Sequence, residues 1–205
     1  MPSPAQGLSQ PERVEQSSRR LLQAAAELIV EKGWEATTAA EIGRRAGYSR
    51  AMVHVRYGSK DAILDAFQQG YVTQLNPDAD PNADGLARVL AHFDRVQHLH
   101  AEDAAVTRAM FVSAFEAVKT TSPLRDSVRA QLANAAVKID AALRAGIQDG
   151  SLRPDLDVEA ARQDITSSIF GIAFQWVTLP EEYDLDHEIT CVRKRIIATY
   201  GATPR

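Results

Sequence analysis

Residues 37–60, TTAAEIGRRAGYSRAMVHVRYGSK, constrain this chain most, because their caps and breaks fix where helices start and stop. Thr38 and Glu41 have the spacing of a capping box, in which the hydroxyl takes an orphan N–H and the carboxylate reaches back to the cap. A helix over 39–46 follows, with Ile42, Gly43 and Ala46 forming a small packing face. Gly47 stands where the chain leaves that helix, a position that favours positive φ. After a three-residue turn, Ser49 caps a second short helix over 50–57. There Val53 and Tyr57 share one face at i, i+4 spacing and anchor it, leaving Arg50, Met52, His54 and Arg56 directed outward. Lys60 opens the next helix, where its ammonium and the helix N-terminus are placed to meet a phosphate.

Two short helices joined by so tight a turn have the form of a helix-turn-helix, whose second helix enters the major groove of DNA. Charge points the same way. Between residues 36 and 60, Arg44, Arg45, Arg50, Arg56 and Lys60 stand against Glu41 alone, whereas residues 63–205 hold 14 basic and 20 acidic residues. A positive patch at one end of a chain of net charge −4 is an electrostatic footprint for phosphate, and it argues against a bulk nucleic-acid coat protein. A second reading stays open at this point: a dimeric helical adaptor whose basic face holds an acidic protein.

The rest of the chain reads as helix with no strand pattern and no internal repeat. Residues 1–12 are rich in Pro, Ser and Gln and are expected to be a disordered tail. A helix over 13–32 carries Leu21, Leu22, Ala25, Leu28 and Ile29 at helical spacing and ends at Gly33, with Trp34 as a core anchor. Arg13, Arg19 and Arg20 mark either an arm for the minor groove or a solvated helix end. A helix over 60–75 bears Ile63, Leu64, Phe67, Tyr71 and Leu75, followed by the loop NPDADPNAD. Beyond it, helices are expected over about 84–98, 103–119, 122–150, 157–179 and 186–200, the third opening on Ser122-Pro123. The fold class is therefore all-α, with about nine helices: a DNA-binding domain over 13–62 and a helical-bundle domain over 63–205.

The order of Gly33-Trp34, Thr37-Thr38, Glu41-Ile42, Ala46-Gly47-Tyr48-Ser49 and Ser59-Lys60-Asp61 resembles the N-terminal domain of the TetR family of bacterial transcriptional regulators. The resemblance covers residues 15–65. It implies a repressor that binds a palindromic operator as a homodimer, with the last two helices pairing in a four-helix bundle. It also implies a ligand cavity whose filling releases the operator. By position, the family's DNA contacts fall on Thr38, Tyr48, Ser49, Arg50, Ala51, Met52, His54, Val55, Arg56 and Lys60. His54, Arg56 and Tyr57 depart from the residues usual in that family, so the operator sequence is not inherited with the resemblance.

For the effector, the large side chains Phe93, Met110, Phe111, Phe115, Phe170, Phe174 and Trp176 fall on segments expected to converge, with His92 and His98 as polar anchors. Either they line a pocket or they pack a bundle core. Few charged residues fall on these apolar faces, so a pocket here is expected to take a small, mostly hydrophobic ligand. Ile165, Ile169, Ile172 and Trp176 on the penultimate helix, with Val192 and Ile196 on the last, exceed what one bundle hides. The first three, together with Val192 and Ile196, are assigned to a dimer interface, where Gly171 and Ala173 allow close approach.

Catalysis is not expected. His98 and His100 diverge on a helix and make a poor metal pair; there is no HExxH, phosphate-cradling glycine loop or GxSxG, and no Glu stands three residues before a histidine. The single Cys191 excludes an intrachain disulfide and a cysteine-based zinc site, leaving helix packing or an intermolecular redox role. No cofactor or metal is expected. The polar N-terminus lacks the apolar core of a signal peptide and no run is long enough to span a membrane, so a cytoplasmic location is expected.

Overall fold

The computed structural model describes residues 9–70, 72–78 and 80–202. The described residues form α1 (Gln10–Ala36), α2 (Ala39–Arg45), α3 (Arg50–Tyr57), α4 (Lys60–Gly70), a 3-10 turn (Val72–Leu75), α5 (Gly85–Glu102), α6 (Ala104–Glu116), α7 (Arg125–Asp149), α8 (Val158–Thr178) and α9 (Leu185–Tyr200). The all-α expectation holds, and the only bridge of β type among the described residues is an isolated pairing of Leu152 with Gly201.

Helix α1 begins earlier than expected, at Gln10. Glu12 accepts the Ser9 N–H at 2.7 Å, a capping arrangement that starts the helix inside the stretch read as a tail. Residues 1–8 of that tail lie outside the described residues, as does Tyr71. At its far end α1 breaks at Gly33, whose φ of +78° no L side chain adopts cheaply. The helix expected over 60–75 stops at Gly70 and continues as the tighter 3-10 turn. The helix expected from Ser122 starts at Arg125, because Ser122 and Pro123 form a turn in which the Arg125 N–H bonds the Ser122 carbonyl at 3.2 Å. Side-chain carboxylates of Asp84, Asp103, Asp157 and Asp184 cap α5, α6, α8 and α9, the last helix beginning one residue earlier than expected.

Two apolar cores share one wall. The first collects Leu21, Leu28, Ile29 and Trp34 of α1, Ile42 of α2, Val53 of α3 and Ile63, Leu64 and Phe67 of α4. The second collects α5, α7, α8 and α9 around Val89, Phe93, Ile139, Leu143, Ile165 and Ile196. Helix α6 belongs to both: Val106, Ala109, Met110 and Ala117 close the first, and Phe111 enters the second. No other helix pair packs as extensively as α1 and α6. The expected boundary at residue 62 falls inside α4, whose next turn is core to the N-terminal unit.

Candidate nucleic-acid interface and ligand cavity

The helix-turn-helix is set by backbone contact. The Thr38 hydroxyl accepts the Glu41 N–H at 3.3 Å and Glu41 takes the Thr38 N–H at 3.0 Å, closing the capping box read from the sequence. Gly47 has φ +79°. At Gly43 a Cβ would lie 2.7 Å from the Ser49 carbonyl oxygen, so only glycine lets α2 and the start of α3 approach this closely. Glu41 also pairs with Lys32 at 2.5 Å, and this bond with the Thr38 contacts pulls its pKa down to about 2. Arg45 ties α2 to α1 through Glu31 at 2.6 Å and Glu27 at 3.2 Å.

Helix α3 stands on Val53, fully buried, and on the Tyr57 hydroxyl, which donates to the Ser18 carbonyl at 3.1 Å. Arg50, Ala51, His54 and Val55 are exposed, Val55 to 70 %, and at i, i+4 spacing they form a basic row beside an apolar one. His54 Nδ1 lies 2.9 Å from the Gly58 carbonyl and donates to it, leaving Nε2 outward. Four residues expected to face DNA differ. Met52 is half-buried and packs against the first core. Arg56 is half-buried and its Nε donates to the Ser17 hydroxyl at 2.7 Å. Lys60 donates to the Trp34 and Thr37 carbonyls at 2.9 and 2.8 Å and covers the Trp34 ring at 4.6 Å, so its ammonium chiefly satisfies the end of α1. Tyr48 is also half-buried on the core, while Thr38 and Ser49 are exposed. The positive surface is therefore narrower than the sequence count implied: Arg44 and Arg50 are exposed, and Arg45, exposed as well, is paired with Glu27 and Glu31.

The Glu116 carboxylate at the end of α6 meets the α1 break directly. It accepts the Trp34 N–H at 3.1 Å, and a Cβ at Gly33 would collide with its oxygen. The segment that Lys60 holds from one side is thus held by α6 from the other. Nothing in the sequence pairs residues 34 and 116.

On the other face of α6 lies a cavity of about 80 Å³ that widens into a cleft with about 690 Å³ of free space in all. His92, Phe111 and Phe170 line it as expected, together with Val72, Leu75 and Asn76 near the 3-10 turn, Val96, and Val128, Gln131, Leu132 and Ile139 of α7. Thr166 and Ile169 of α8 complete the wall. The remaining ligand expectations need correction. Phe93 borders a separate void of about 10 Å³. Met110 faces α1 in the first core, one residue and so one helix face away from Phe111. Phe115 stacks on Phe111 and meets Phe170 and Phe174 edge-on, and Phe174 is 57 % exposed. Trp176 is buried, but against His100 and the Arg108 guanidinium. His98 points to solvent beside Glu102.

The dimer-interface assignment is corrected as well. Ile165, Ile172 and Ile196 are buried within the subunit, and Ile169 and Val192 pack on the same core. Phe174, Leu179 and Ile197 are the large apolar side chains that α8, α9 and their connection leave exposed, because one face of each helix is already consumed by its own bundle. Cys191 is exposed on α9 with its Sγ 3.5 Å from His187 Nε2.

The arrangement has known counterparts. The family model described as "Bacterial regulatory proteins, tetR family" matches residues 21–67, and that described as "Tetracyclin repressor-like, C-terminal domain" matches residues 85–187, half of the chain. The chain belongs to the TetR family. Among curated relatives it is similar to the fatty acid metabolism regulator protein of Bacillus subtilis, 25% identical over 81% of this chain and 86% of that protein. It is also similar to the transcriptional repressor KstR2 of Mycobacterium tuberculosis, 28% identical over 78% of this chain and 82% of the other. Its fold matches that of the regulator FadR from Bacillus subtilis in complex with stearoyl-CoA, with a TM-score of 0.67 and 23% identity over 88% and 97% of the two chains. This TetR-family protein is a ligand-responsive transcriptional regulator of the repressor type, with operator DNA, a small-molecule effector and a second copy of itself as partners. The adaptor reading finds no support. No described helix is long and apolar enough to cross a membrane.

Proposed function

We propose that this TetR-family regulator reads its operator with Arg50, Ala51, His54 and Val55, while Thr38, Tyr48, Met52, Arg56 and Lys60 position α3 instead of contacting bases. The observation that carries this is the division of α3 into an exposed face and a face held by Val53, Arg56 and Tyr57. Arg50 suits guanine or phosphate, and the Ala51/Val55 row suits a thymine methyl. Ser49, exposed and with no side-chain bond to the helix end, is open to a phosphate.

The effector, in this reading, enters the cavity between the 3-10 turn, α5, α6, α7 and α8 and has a lipid-like body. The nearly all-apolar lining supports this, as does the stearoyl-CoA held by the FadR structure of like fold. The protein acts in the cytoplasm, where its DNA is, and catalyses no reaction. The α8–α9 face bearing Phe174 and Ile197 forms the dimer contact.

The test is selection of a promoter fragment from genomic DNA by the purified protein, followed by titration against unrelated duplex. Arg50→Ala should lower specific affinity by about 1–3 kcal/mol and shrink the ratio of specific to non-specific binding. Unchanged operator affinity in that variant removes α3 as the reader.

A further inference from the structure

The apolar wall of the cavity contains three polar groups that the fold leaves without partners. Asn76 Oδ1 and Thr166 Oγ1 are buried with no hydrogen bond among the described residues. The His92 ring lines the same cavity and is only 5 % exposed, with no hydrogen bond among the described residues. Buried polar atoms of this kind are normally satisfied, so two in one cavity, beside a histidine that faces the same space, point to something that occupies it.

Their chemistry says what kind of molecule. The Asn76 amide donates through Nδ2 to the Gln131 carbonyl at 3.1 Å, which leaves Oδ1, a pure acceptor, for the cavity. Burial, reinforced by the charge of Lys138, lowers the His92 pKa to about 4, so at neutral pH the ring offers one donor and one acceptor. Thr166 offers a hydroxyl that does both. Among the described residues no Lys, Arg, Asp or Glu lines the cavity. Lys138 commits its ammonium to the Asn76 and Pro77 carbonyls at 3.0 and 3.2 Å and to the Asp78 carboxylate at 2.8 Å.

We propose that the cavity takes an uncharged amphiphile, an apolar body ending in a hydroxyl or similar group that both donates and accepts hydrogen bonds, and rejects the corresponding carboxylate. This rests on the effector reading above and specifies the head group. A hydroxyl donates to Asn76 Oδ1 and accepts from Thr166 or His92. A carboxylate has no proton to give Asn76, faces its oxygen across a dry wall, and gives up its hydration without a counter-charge. A capped ether fits the apolar space but leaves Oδ1 unpaired.

The experiment is displacement of Nile red, a neutral fluorophore, from the full-length protein at pH 7.5 by 1-dodecanol, dodecanoate and dodecyl methyl ether. Dodecanol should displace at a concentration about tenfold or more below either other compound. Thr166→Val and, separately, Asn76→Leu should narrow its advantage over the ether to about two- to threefold. Two variants guard against one that fails to fold, which circular dichroism reports. The proposal is overturned if dodecanoate competes as well as dodecanol, if the ether does, if dodecanol does not displace, or if the preference survives in both folded variants. Operator affinity read in parallel separates the two claims. Dodecanoate that binds and releases the operator removes the head-group assignment and leaves the effector reading intact. Dodecanol that binds with the stated preference yet leaves operator affinity unchanged does the reverse.

Discussion

The recognition end and the cavity end both set polar groups beside apolar anchors, and they do so in opposite balance. Around α3 the supporting polar groups have partners: Tyr57 on the Ser18 carbonyl, Arg56 on Ser17, Lys60 on two carbonyls of the α1 break. Around the cavity, Asn76, His92 and Thr166 have unused hydrogen-bonding capacity. The first region is pre-organised and keeps one face for an outside surface; the second completes itself when something enters. Helix α6 touches both, with Phe111 at the cavity and Glu116 on the Trp34 N–H five residues on. A ligand that moves α6 therefore acts on the segment that positions α2 and α3.

The largest effect expected is at the pre-organised end. Gly43→Val places a branched side chain against the Ser49 carbonyl, a backbone atom that has nowhere to go. Stability should fall by about 3 kcal/mol, at the upper end for overpacking, with specific operator binding lost. Thermal melts with anisotropy titrations check this, and near-parental binding would mean that the α2–α3 turn is adaptable.

Acid should then separate the two ends. His92 has its pKa lowered to about 4 by burial, so the unfolded chain, near 6.5, binds the proton first. Stability from this site is complete above about pH 6.5 and is lost as pH falls toward 4, by up to roughly 3 kcal/mol. Glu41, held down to about 2, is still charged across that window, so the capping box of α2 persists. Hydrogen exchange should show amides of α5 and α7 losing protection before those of α2, and His92→Gln should flatten the pH dependence of the melt. Equal loss at both ends would erase the distinction.

This contrast also explains what could be read in advance. The turn, the α2 cap and the positive φ of Gly47 depend on neighbours within a few residues, so Thr38, Glu41 and Gly43 announced them, whereas Ser49 stands at the start of α3 without a side-chain bond to it. Which side of α6 Met110 and Phe111 take depends on whether α1 or α8 lies opposite, and adjacent apolar residues do not say. The same holds for α8, where Ile172 and Phe174 read alike in sequence but one is core and the other surface. Lys60 was placed correctly at a helix start, yet its partners lie 23 and 26 residues upstream, beyond any local pattern.

A smaller effect tests the link between the ends. Glu116→Ala leaves the half-buried Trp34 N–H without its acceptor, a loss of about 1–2 kcal/mol in stability. Operator affinity in the absence of effector should change little, while its reduction by a saturating effector, typically about 1–3 kcal/mol of coupling, should shrink. Full coupling in the variant would mean that signal passes from cavity to α3 by another route, such as the 3-10 turn into α4.

The smallest effect concerns salt. Lys60→Met keeps an apolar stem over the Trp34 ring but removes the donors to the Trp34 and Thr37 carbonyls. Because both bonds are only part-buried and the Trp34 carbonyl keeps the Thr37 N–H, the stability loss should be about 1 kcal/mol. The decisive reading is the slope of log affinity against log salt, which changes by about 0.9 for each phosphate a cation neutralises. If Lys60 serves the α1 break, the slope of the variant matches the parent, and the affinity loss is the same at every salt concentration. If the slope falls by about one unit, the ammonium leaves the carbonyls for a phosphate when DNA arrives, and the recognition end is less pre-organised than its contacts imply.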